Sequence, residues 1–141
     1  MNKEIIKKAS SLLQEGNYTL VLYNGKDFIT SKARGVRPLL SLYDEGKDVH
    51  DYLSADKVIG KGAAFLYVLL NIKGIYTYVI SKPALEVLQK AGIEVEYQSL
   101  AEHIYNHTHT GFCPIETAVN GIDDPKSSLE VIRKTLKTLK D

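Results

Sequence analysis

The sequence has very few residues that form covalent or metal cross-links, and it lacks an excess of either charge. Cys113 is the single cysteine among 141 residues, which excludes an intrachain disulfide and a four-cysteine zinc site. The 18 basic residues nearly balance the 17 acidic ones, and the formal net charge is +1. This balance gives no strong signal for a nucleic-acid or membrane-surface partner, because both are recognised by clustered positive charge.

Long hydrophobic runs are missing too. The longest, over residues 63–70, is far shorter than the roughly 20 residues that span a bilayer, and charges interrupt the first eight residues. With a lone thiol, these absences predict a cytoplasmic protein. The residues present, 44% hydrophobic and 25% charged, are typical of a folded chain, so we expect one domain over residues 1–141.

The order of the apolar patterns predicts an α/β fold. Helically spaced apolar residues open the chain and stop at Gly16, and Asn24-Gly25 between two β-rich runs predicts an antiparallel hairpin. Strand and helix patterns then alternate over residues 57–97, which predicts parallel βαβ units. Residues 99–102 have the form of a capping box and predict another short helix. We therefore expect a mixed sheet with helices on both faces.

The first candidate site lies where a strand runs through Gly60, Lys61, Gly62 and Ala63 into an apolar helix. Free N–H groups and the positive end of the helix dipole favour an anion at such a position, and Lys61 adds a positive charge. The segment lacks the longer glycine frame of a Walker loop. A second interpretation is that the small residues let a buried helix pack closely on the sheet.

The second candidate is the segment around Cys113 and Glu116. Pro114 suits a first helical position, which places Cys113 at the cap, where a helix N-terminus stabilises a thiolate. Glu116, three residues on, is placed to act as a base or to accept a hydrogen bond. The alternative is a cysteine that packs as a small hydrophobe, with Glu116 as an ordinary helix-start residue.

Other polar residues point to chemistry less clearly. His107 and His109 form with Cys113 a ligand set that suits zinc or copper, but the spacing matches no zinc template, so we expect a solvated loop and no metal. Asp51 and Asp56 flank a short β-rich segment, where a cap or turn role is the simpler interpretation.

A local resemblance to the zinc deaminases is carried by residues 81–87, with the glycine and strand that follow. Those enzymes have a Pro-Cys-x-x-Cys helix here, whereas this chain has Ala84 and Val87 at the two ligand positions. The upstream metal ligand and catalytic glutamate are also absent near residues 61–63. The resemblance implies a cytidine-deaminase-like three-layer αβα sandwich without zinc-dependent deamination and without a cofactor.

The whole chain resembles an uncharacterised prokaryotic domain-of-unknown-function family with this fold. Residues 35–40, 56–64, 106–116 and 122–125 carry the resemblance. It implies that the helices starting near Lys61 and Pro83 have their N-termini beside one pocket, and that the segment around Cys113 folds back toward that pocket.

The sequence patterns favour a bound anion near Lys61, and the resemblance implies that this ligand is a small anion, such as a nucleotide, in the former active-site pocket. The residues expected to hold the ligand are Gly60, Lys61, Gly62, Ala63 and Asn106. Cys113, Glu116 and Lys61 are the candidates for nucleophile and acid/base roles. The alternative is a non-catalytic sensor or interaction domain whose pocket is filled by side chains, and a homo-oligomer is compatible with either.

Overall fold

A computed structural model describes residues 1–105 and 111–139. The helices are α1 (Lys3–Glu15), α2 (Arg37–Asp44), α3 (Lys61–Leu70), α4 (Lys82–Lys90), α5 (Pro114–Ala118) and α6 (Pro125–Thr138). The strands are β1 (Leu20–Tyr23), β2 (Phe28–Ser31), β3 (Leu53–Ile59), β4 (Gly74–Ser81) and β5 (Glu94–Ala101). None of the helices in these two ranges is long and apolar enough to cross a membrane.

The five strands form one mixed sheet in the order β2-β1-β3-β4-β5. β1 is antiparallel to both β2 and β3, whereas β4 is parallel to β3 and β5 is parallel to β4. The predicted hairpin is confirmed, and Gly25 in its turn has φ +94°, a conformation that favours glycine. The mixed sheet, with its antiparallel hairpin and parallel units, is therefore as the sequence predicts.

Helices cover both faces of this sheet. Leu20 and Leu22 of β1 belong to the larger hydrophobic core, whereas Val21 and Tyr23 belong to a smaller one. Because successive side chains of a strand point to opposite faces, the two cores lie on opposite faces of the sheet. The buried residues of α1 lie mainly in the smaller core, and those of α2, α3, α4, α5 and α6 contribute to the larger one.

The helix α3 is the centre of the larger core, which explains why its sequence is apolar nearly all round. It packs against α2, α4 and α6, so most of its residues are buried. A Cβ atom on Gly62 would lie 2.4 Å from Cγ2 of Ile115. The glycine thus allows α5 to approach the first turn of α3 closely.

Two local expectations were wrong. The capping-box pattern at residues 99–102 does not start a helix, because β5 continues to Ala101 and pairs with β4 through Val79↔Ser99 and Ile80↔Leu100. Asp56 does not lie in a turn, because β3 begins at Leu53 and pairs on both sides at Asp56. In both segments the hydrogen bonds of the sheet override a local turn or cap preference.

Candidate functional site

The Glu116 carboxylate joins three segments that are far apart in the sequence. Glu116 lies in the first turn of α5 and is only 6% exposed. Its Oε2 atom accepts hydrogen bonds from the backbone N–H of Lys61 at 2.9 Å and from the hydroxyl of Ser81 at 2.5 Å. Its Oε1 atom accepts one from the N–H of Ile104 at 2.8 Å.

This carboxylate lies at the N-termini of two helices. Lys61 is the first residue of α3, so its N–H has no acceptor within the helix, and a negative charge is favourable there. Ser81 is the N-cap of α4, and its Oγ also accepts a hydrogen bond from the N–H of Ala84 at 3.2 Å. A carboxylate of the chain itself therefore lies where the sequence predicts a bound anion.

The position of Glu116 also depends on Gly60. A Cβ atom on Gly60 would lie 3.2 Å from Oε2 of Glu116, which is closer than an ordinary van der Waals contact. The glycine at this position thus lets the carboxylate reach the first N–H of α3. The neighbouring Ala63 is buried at 7% exposure and is part of the larger core.

The Lys61 side chain lines a cavity of about 260 Å³ formed by residues of α3, α4 and the segment that leads into α6. The residue is 9% exposed, and its Nζ lies 5.6 Å from the centroid of the Phe65 ring. Within residues 1–105 and 111–139, no carboxylate forms an ion pair with Nζ and no acceptor is hydrogen-bonded to it. The cavity lining also includes the exposed charged residues Glu86, Lys90 and Asp123.

Cys113 is the N-cap of α5 and is partly buried. Its backbone N–H donates to the carbonyl of Ile104 at 2.8 Å, which places it beside the segment that Glu116 holds. The helix it caps has only five residues, so the dipole available to stabilise a thiolate is short. Cys113 is not part of the lining of the Lys61 cavity.

The structure thus brings together part of the predicted constellation. Glu116 meets the backbone of residues 60 and 61, and Cys113 lies next to that contact, whereas the Lys61 side chain lines a cavity that neither of them lines. Asn106, His107 and His109 lie outside the described residues. Among the residues that are described, no three histidine, cysteine or acidic side chains are grouped as metal ligands. The catalytic roles of these residues stay predictions.

A buried polar chain that sequence reasoning missed runs from Ser54 through Tyr67 to Asp56. The Tyr67 hydroxyl donates to Oδ2 of Asp56 at 2.7 Å, so the Ser54 hydroxyl, 2.8 Å away, donates to the Tyr67 oxygen. Burial raises the pKa of Asp56 to about 7, although hydrogen bonds from Tyr67 and from the N–H groups of Val58 and Lys57 oppose the change. Burial, with the nearby Asp56 charge, also raises the pKa of Tyr67. The only signal in the sequence is an acidic residue within a β-rich segment.

Comparison with known proteins identifies the family. A profile described as "TM1506: Domain of unknown function (DUF1893)" matches residues 8–136. The chain belongs to the DUF1893 family. The crystal structure of a DUF1893 family protein (TM1506) from Thermotoga maritima is similar to it, with 27% identity and a TM-score of 0.86 over 99% of this chain and 92% of that one. No curated protein matches the chain.

The residues that match the DUF1893 family, 8–136, include Glu116 with its hydrogen-bond donors and the residues that line the Lys61 cavity. The family description states no activity. The chemistry of this DUF1893 chain must therefore be argued from its own side chains.

Proposed function

We propose that this chain binds a small anionic ligand in the cavity beside Lys61. The observation that carries the proposal is an ammonium group on a residue only 9% exposed, with no carboxylate to pair with it among the described residues. The stem of Lys61 is buried, but its ammonium keeps contact with solvent, because no fully buried side-chain nitrogen among the described residues lacks a hydrogen-bond partner. Its cation–π contact with Phe65 contributes about 1 kcal/mol, and no negative charge among the described residues pairs with it. A bound anion supplies the missing counter-charge.

One end of the cavity, at Lys61 and Pro83, lies where α3 and α4 begin, and the cavity runs along both helices to Val68 and Ala91. The helices α3 and α4 follow directly after β3 and β4, which are adjacent and parallel, so both helices start at the same edge of the sheet. Ligands of open α/β sheets bind at the carboxyl ends of the strands. A nucleotide in a metal-free deaminase-like pocket is the ligand that the sequence led us to expect, and it belongs among the test ligands.

A matched pair of variants tests the proposal. The thermal midpoint Tm of the protein is measured with inorganic phosphate, AMP and benzoate, in the unmodified chain, in Lys61→Met and in Lys47→Met. Lys47 is an exposed lysine outside the cavity lining, so its variant makes the same charge change elsewhere. We expect at least one anion to raise Tm in the unmodified chain and in Lys47→Met but not in Lys61→Met.

The ligand-free Lys61→Met variant separates a binding role from a structural one. Methionine keeps most of the aliphatic stem and removes the unpaired charge, so stability without ligand should be unchanged or higher. An anion response that survives in Lys61→Met contradicts the proposal. A large loss of stability with no change in ligand response also contradicts it.

A second candidate function, a non-catalytic sensor or interaction domain, is favoured by the Glu116 contact. The Glu116 carboxylate is buried against both helix N-termini, and three of its roughly four acceptor sites are occupied by hydrogen bonds from the chain itself. The rate at which Cys113 is alkylated at neutral pH distinguishes an anion-binding enzyme from a non-catalytic domain. A Cys113 thiol that is alkylated much faster than free cysteine supports an enzyme, whereas an inert thiol supports the interaction domain.

A further inference from the structure

We infer that the ligand of the Lys61 cavity is a small monoanion with an apolar body, of the class of short-chain or aromatic monocarboxylates. The inference rests on the proposed function and names the chemistry of its ligand. It follows from three properties of the cavity: its charges, its walls and its size.

The charges of the lining suit a single negative charge. Among the described residues that line it, Lys61 is the one buried charged residue, and the exposed ones are Glu86, Lys90 and Asp123. None of these exposed charges forms an ion pair or a hydrogen bond with Lys61. The ammonium is therefore left to a ligand, and one carboxylate group neutralises it. A polyphosphate would bring further negative charges close to Glu86 and Asp123, where like charges repel.

The walls and the size of the cavity suit an apolar body. Phe65, Val68, Val87 and Ile122 contribute hydrophobic surface to the lining. Burying methylene groups or a ring against such surface is favourable. The volume of about 260 Å³ lies below the roughly 300–1,000 Å³ of pockets that hold drug-sized ligands. A benzoate-sized molecule therefore lies within this half-open cavity, whereas a nucleotide would extend from it into solvent.

Titration calorimetry on the intact chain tests this inference with benzoate, benzamide, inorganic phosphate and ATP. Benzamide has nearly the shape of benzoate but no charge. We expect benzoate to bind best, and we expect its affinity to fall at least about tenfold in Lys61→Met, as for loss of a charge-assisted hydrogen bond. Benzamide should bind at least about tenfold more weakly than benzoate, and Lys47→Met should behave as the unmodified chain does.

The possible outcomes separate this inference from the proposed function. If phosphate or ATP binds more tightly than benzoate and depends on Lys61, the monoanion inference is wrong but anion binding stands. If no anion shows Lys61-dependent binding, both are wrong. If benzamide binds as well as benzoate, the ammonium does not select the ligand and the inference is overturned.

The two exposed carboxylates of the cavity lining, Glu86 and Asp123, provide a second, independent test. The double variant Glu86→Gln/Asp123→Asn removes the two negative charges that face an incoming ligand. We expect it to raise phosphate affinity at least about tenfold, which is about 1.4 kcal/mol. Benzoate affinity should rise by a smaller factor, because the repulsion that is removed is proportional to the charge of the ligand. Unchanged phosphate affinity would show that Glu86 and Asp123 do not select against multiply charged anions, contrary to the inference.

Discussion

Replacing Asp56 by asparagine should remove a large part of the pH dependence of stability. The carboxyl group lies within β3, where it accepts a hydrogen bond from the buried Tyr67 hydroxyl. Burial raises its pKa from 3.8 to about 7. Asparagine keeps a carbonyl oxygen as acceptor for Tyr67 and cannot ionise in this range.

The sign of the effect follows from the raised pKa. Between about pH 4 and pH 7 the folded protein holds a proton on Asp56 that the unfolded chain has released, so the free energy of unfolding falls as pH rises. At about 1.36 kcal/mol for each pKa unit, the change from 3.8 to about 7 corresponds to roughly 4 kcal/mol. This is an upper bound, because Asp56 keeps part of its surface exposed.

Urea unfolding followed by circular dichroism at pH 4.5, 5.5, 6.5 and 7.5 measures this effect. The unmodified chain should lose stability relative to Asp56→Asn as pH rises across the series. Asp123→Asn, at an exposed aspartate, serves as the control and should run parallel to the unmodified chain. If Asp56→Asn also runs parallel to it, the argument from burial is refuted.

Two further predictions concern contacts made by α5. Glu116→Ala should lower the free energy of unfolding, measured in urea titrations, by about 3 kcal/mol or more, because three buried donors lose their acceptor. Glu116→Gln should lower it less, since one carbonyl oxygen remains as an acceptor. Equal losses in the two variants would show that the hydrogen bonds are not the cause. Gly62→Ala should lower the free energy of unfolding by about 1–2 kcal/mol, because the new Cβ would lie 2.4 Å from Ile115. Gly111→Ala is the control and should change Tm little, since among the described residues beyond its chain neighbours no atom lies within 4 Å of the new Cβ. A Gly62→Ala protein as stable as the parent would contradict the close approach of α5.

Short sequence patterns correctly indicate the turn and the helix start that are stabilised by hydrogen bonds between residues close in the sequence. Asn24-Gly25 predicted the hairpin, and the turn hydrogen bonds run to the Asn24 side chain from Lys26 and Asp27. Asp124 before Pro125 is a residue pattern typical of a helix start, and in α6 the Asp124 carboxylate accepts a hydrogen bond from the N–H of Ser127. These contacts span no more than three residues, so the pattern of residue types is sufficient to predict them.

Long-range pairing decided the elements that local signals assigned wrongly. Residues 99–102 have the side chains of a capping box, but the β4 backbone offers a continuous ladder that extends β5 to Ala101. Asp56 has the residue type of a turn, but β1 and β4 pair with it from both sides. Neither partner strand is adjacent in the sequence to the segment that it holds, so no local pattern reports it.

For the candidate site, the sequence alone determined which residues are candidates for chemistry: a lysine at the start of a buried helix, and a cysteine and a glutamate around a proline. Only the tertiary structure decided their partners, because Lys61 and Glu116 are 55 residues apart. Folding places the Glu116 carboxylate on the first N–H of α3 and leaves the Lys61 ammonium beside Phe65 with no ion-pair partner among the described residues. Burial and pairing are properties of three-dimensional contact, and they determine whether a charged side chain is already neutralised or is available to a ligand.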